Sequence, residues 1–104
     1  MSIALLITSA DGKDTLFPIA TEAIFSSYWL PIIEEHNLQF LRLFQTGLPV
    51  EKEDIPYILD EIKIFRNNLS KTGQQSSIIN ERLDAINEQL QLLVDQDFDS
   101  IYIG

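Results

Sequence analysis

Hydrophobic and polar positions divide the chain into segments of different period. Ile3 to Thr8 is a short apolar run followed by Ser9-Ala10-Asp11-Gly12-Lys13, and it reads as a strand entering a turn. Between Pro18 and Gly47 aromatic and aliphatic residues crowd together, interrupted by Pro31. Proline lacks the N–H that a helix interior needs. The pattern therefore predicts one helix up to about Tyr28 and another from about Leu30 to His36, ended by Asn37. Leu38 to Gln45 fits a short helix or a strand, because Phe40, Leu41, Leu43 and Phe44 follow neither period. Gly47-Leu48-Pro49 is a break.

The second half is more regular. Ile55, Ile58, Leu59, Ile62, Phe65 and Leu69 recur at helical spacing, with Glu51, Glu53 and Asp54 at the start, where the helix dipole favours anions. Pro56 is tolerated there, since a first-turn N–H has no intrahelical partner. Residues 70–76 read as a polar linker. From Ser77 onward Ile79, Leu83, Ile86, Leu90 and Leu93 alternate steps of four and three, which predicts a helix with a narrow apolar stripe. Asp95 to Asp99 turns the chain, and Ser100-Ile101-Tyr102-Ile103 has the composition of a closing strand. The expected fold is α+β and mainly helical, a bundle of about four helices with a small sheet from the N- and C-terminal strands. At 104 residues it is one domain, 1–104.

Composition narrows the functional classes. The chain has no cysteine, which removes disulfides, thiolate metal sites and cysteine nucleophiles. Residues 1–7 lack the positive start of a signal peptide, and no stretch is long enough to cross a bilayer; a cytoplasmic protein is expected. Sixteen acidic residues against seven basic ones give a net charge of −9. Such a balance repels nucleic acid and anionic membranes and favours a basic protein partner. Acidic surfaces also serve solubility alone, so the placement of the charge matters more than its sum.

Catalytic patterns fail one by one. His36 is the single histidine, and no serine lies in a nucleophile turn. Gly12-Lys13 lacks the upstream glycine of a phosphate loop, and no dinucleotide fingerprint occurs. Asp95-x-Asp97-x-Asp99 begins like a calcium loop, but Ser100 stands where the turn needs glycine and the twelfth position lies beyond Gly104. The adjacent carboxylates Glu34-Glu35 and Asp60-Glu61 point about 100° apart on a helix and share no face. The expectation is a non-enzyme with no cofactor and no metal.

Two helix faces carry the remaining signal. Opposite the Ile79–Leu93 stripe lie Glu81, Asp84, Glu88 and Asp95, and no basic residue follows Arg82. Like charges at this spacing oppose a helix by roughly 0.2–0.5 kcal/mol per pair. The row is either a solvated face or a surface kept acidic for a cationic one, and Asp97 and Asp99 extend it. On the preceding helix the side opposite the core presents Tyr57 and Ile64 beside Asp60 and Glu61. That side is either packed against a further element or an aromatic anchor rimmed by carboxylates. These ten residues form the expected partner-binding surface. The apolar pair Tyr57 and Ile64 also suits a homodimer of a structural or regulatory subunit.

Tyr28-Trp29-Leu30-Pro31-Ile32-Ile33 through Leu38, then Phe44-Gln45-Thr46-Gly47, then Ile55 to Leu69 around Asp60-Glu61-Ile62, resembles the bacterial immunity proteins of polymorphic toxin systems. The resemblance covers roughly residues 25–69. It implies a protein that binds and neutralises a toxic nuclease or other effector by occluding it, with no chemistry of its own. No family site transfers residue by residue, and the acidic last helix and Ile101–Ile103 lie outside the resemblance.

Overall fold

The computed structural model describes residues 2–70, 73 and 76–104, so most of the polar linker expected over 70–76 lies outside the described residues. Strand β1 (Ser2–Ser9) turns through Gly12 (φ +85°) into β2 (Asp14–Thr21). Helical segments α1 (Glu22–Ile24), α2 (Leu30–His36) and α3 (Gln39–Arg42) lead to β3 (Leu48–Val50). Helices α4 (Ile55–Arg66) and α5 (Ser76–Val94) precede β4 (Phe98–Ile103). The architecture is α+β, as the periodicities predict. The terminal strands β1 and β4 do pair, but two further strands complete an antiparallel sheet of order β2-β1-β4-β3.

Pro31 does not divide the aromatic segment into two helices. The chain stays helical from Glu22 to His36 through a π-helical turn at Phe25–Trp29, where the Leu30 N–H reaches back to the Phe25 carbonyl. The wider turn just ahead of Pro31 relieves the clash that a proline ring makes with the previous turn of an α-helix. Asn37 ends α2 in the left-handed conformation (φ 54°), as expected of asparagine there. Leu38 to Gln45 resolves as α3 and tight turns.

The helices cover one face of the sheet. Ile3, Leu5 and Ile7 of β1, Ile101 and Ile103 of β4, and Leu48 and Val50 of β3 join the helical residues in one buried cluster. All five stripe residues of α5 are in it, as are Ile55, Ile58, Ile62 and Phe65 of α4. At the centre Trp29 lies against Phe65, Phe25 and Phe44, with ring centroids 4.6, 5.4 and 6.5 Å apart.

The other face has a different character. Register sets Leu16, Leu6, Tyr102 and Pro49 in one row across all four strands, with Ala4 and Pro18 in the next. None of the six belongs to the core cluster. The Tyr102 ring lies over two glycines: a Cβ at Gly47 would fall 2.1 Å from Tyr102 Oη, and one at Gly104 2.8 Å from its ring. Gly47 also holds φ +111°. Gly47→Ala should therefore destabilise the fold by about 1–2 kcal/mol, seen as a lower urea midpoint with an unchanged slope.

Candidate protein-binding surface

Helices α4 and α5 pack antiparallel. Arg66, at the end of α4, donates to Asn80 Oδ1 and pairs with Asp84, both in the first half of α5. Further along, Leu59, Asp60 and Lys63 of α4 share a groove with Asn87 and Gln91 of α5. Two cations, Lys63 and Arg66, therefore stand in the seam between the two expected acidic faces, and Arg66 takes up part of the charge of Asp84. On the far flank of α5, Glu81 and Arg82 border a groove against β2. Glu88 remains on the exposed crest, whereas α5 ends at Val94, so Asp95 is exposed in the bend that follows and does not continue the helical row.

Tyr57 and Ile64 are 63% and 42% exposed, so α4 is not buried on both sides. The Tyr57 ring stacks on Phe40 of α3 at 6.3 Å and 15°. Asp60 is exposed beside them. Glu61 has a different role. Its carboxylate accepts from the backbone N–H groups of Phe40 (3.2 Å) and Leu41 (3.1 Å), the opening amides of α3. Helical spacing alone places Glu61 on the outer face, but tertiary packing turns it onto a neighbouring helix end, and it leaves the binding surface.

A third group of carboxylates gathers where two loops meet. Pairing of Val50 with Ile101 brings the loop after β3 beside the loop before β4. A cleft of about 410 Å³ is lined there by Glu51, Asp97 and Asp99, and Lys52 is the one cation among its lining residues. Lys52 ties the two loops together through a 3.3 Å hydrogen bond to the Gln96 carbonyl. Glu53 and Asp54 follow directly in the chain. Glu51 and Asp54 form a reciprocal cap on the turn Lys52–Asp54. A hydrogen bond with Glu53, and then the charges of Glu53 and Asp54, hold the Glu51 carboxyl above its usual range. Sequence reading treats Glu51, Glu53 and Asp54 as complements of the helix dipole. Their proximity to Asp97 and Asp99 arises from strand pairing about fifty positions apart, for which no local pattern exists.

Among the described residues no group of three or more histidine, cysteine or carboxylate side chains is placed to hold a metal ion. His36 is exposed at the end of α2. Among the described residues no helix is long and apolar enough to cross a membrane. No family model, curated protein or solved structure matches the chain.

Proposed function

We propose that the protein is a non-catalytic inhibitor of the immunity type, which neutralises a cationic toxin domain of nuclease character by covering it. The observation that carries this reading is the acidic cleft lined by Glu51, Asp97 and Asp99 with Lys52; Glu53 and Asp54 follow Lys52 directly in the chain, and Asp95 precedes the lining residue Gln96. A surface that binds phosphate attracts such a cluster directly, and opposite fields accelerate encounter. Glu88 on the crest of α5 continues the field. Tyr57, Asp60 and Ile64 supply an aromatic contact with a carboxylate at its rim. Glu81 and Asp84 sit beside Arg82 and Arg66 and add less.

The test begins with a pull-down from the native host at low and moderate salt, followed by association kinetics with the recovered protein. A basic partner is expected whose association slows steeply as salt rises. Replacing Glu88, Asp97 and Asp99 with lysine moves the net charge from −9 to −3, two units per site. Association should then slow by about tenfold or more, with dissociation changing far less. Recovery of the chain alone, or an unchanged association rate in the triple variant, would remove this reading.

A further inference from the structure

We infer that the open face of the sheet is a self-association surface, on which a second copy of this chain packs sheet against sheet. The first ground is the pattern of the strands themselves. An antiparallel strand with one wet face alternates apolar and polar residues. Here β1 runs Ile3-Ala4-Leu5-Leu6-Ile7 without a polar residue, the signature of a strand covered on both sides. Leu16 and Tyr102 are 62% and 44% exposed, in one cross-strand row with Leu6 and Pro49. The Tyr102 ring, laid over Gly47 and Gly104, makes that row flat.

Charge selects the occupant. In a chain with 22% charged residues, the strands carry only two charges, both at one end of the sheet: Asp14, which accepts from Thr8 Oγ1, and Asp99 at the irregularity in the β1–β4 pairing. A cationic partner has nothing to pair with on the apolar rows. Two copies of charge −9, by contrast, can meet closely only through a face that is nearly free of charge.

Prolines oppose the other sheet-based contact, edge-to-edge pairing. Pro18 sits on the outer edge of β2, where its carbonyl accepts from Arg82 at 3.2 Å. The nitrogen on that same side carries no hydrogen, so the edge lacks a donor there. At the opposite edge β3 is three residues long with Pro49 in the middle. Each edge strand is thus interrupted by a proline, while the face is open.

Size sets the strength. Four strands at about 4.8 Å spacing and a length of about 20 Å give a face of roughly 400 Å². Two such faces bury about 800 Å², short of the ~1,200 Å² typical of a stable complex. The dimer is therefore weak, with half-association at roughly 10⁻⁵–10⁻³ M.

Sedimentation equilibrium from about 5 µM to about 1 mM tests this range directly. The mass should rise from 11.9 kDa towards twice that value. Added salt should strengthen the association, since it screens repulsion between like-charged copies. Binding of a cationic partner would weaken under the same change. Leu16→Asp and Leu16→Lys should each reduce self-association at least tenfold, because either charge must be buried, while Trp29 emission confirms the fold. Ile64→Asp, on the α4 face, should leave it unchanged. A constant 11.9 kDa across the range, or loss of the dimer in Ile64→Asp but not in the Leu16 variants, would overturn the inference.

Discussion

Replacing Trp29 with alanine should destabilise the protein by about 3–5 kcal/mol, the largest loss expected from any single side chain here. Trp29 is completely buried and is the hub of the aromatic cluster, in contact with rings from the π-helical turn, the segment after α3, and α4. Truncation removes the transfer energy of the ring and leaves a cavity that three separate elements cannot all close. Domains of this size hold about 5–15 kcal/mol in total, so the variant should be partly unfolded at moderate temperature. Far-UV circular dichroism in urea measures the loss, since the variant has no tryptophan to report it.

Trp29→Phe separates packing from polarity at the same site. Among the described residues the buried indole Nε1–H has no hydrogen-bond partner, and such a group opposes folding by about 1–3 kcal/mol. Phenylalanine removes that group while keeping most of the ring contacts. Its net effect should be under about 2 kcal/mol, well below the alanine value. A phenylalanine variant as unstable as the alanine one would mean that the Nε1–H is satisfied after all.

The same contrast between local and distant causes explains what could be read from the chain. Helix α5 is legible because its stripe Ile79, Leu83, Ile86, Leu90 and Leu93 repeats within one element, and those five residues are the ones it buries. The terminal strands are legible from their β-branched and apolar runs. Strand β2 is not, because Pro18 and the bulge opposite Ile3 and Ala4 break its alternation. Strand β3 is three residues long and centred on a proline, a composition that reads as a break. Without β3, nothing brings Glu51 to Asp97 and Asp99. Periodicity therefore found the acidic crest of α5 but missed the acidic cleft, which depends on strand register. It also left Lys63 and Arg66 out of account, although both stand between the two helix faces it singled out.

Glu61 is the sharpest case of this limit, and it yields the second large effect. Glu61→Ala should destabilise the fold by about 2–3 kcal/mol, more than an exposed carboxylate could. Helix α3 spans four residues, too few to be stable unaided, and its N-cap position holds Leu38, which has no side-chain acceptor. The amides of Phe40 and Leu41 are donors that the helix cannot satisfy, and the Glu61 carboxylate accepts from both. Bonds to an ionised acceptor are the stronger kind, and the charge also complements the helix N-terminus. Alanine strands both amides in a half-buried site, and the Phe40 platform under Tyr57 loosens with them. Glu61→Gln should recover about half of the loss, since a neutral amide oxygen can accept but gives up the charge. Amide exchange at Phe40 and Leu41 should accelerate about tenfold or more in the alanine variant while the amides of α5 stay protected. A residue that served the partner instead would show the reverse: unchanged stability and exchange, with weakened binding.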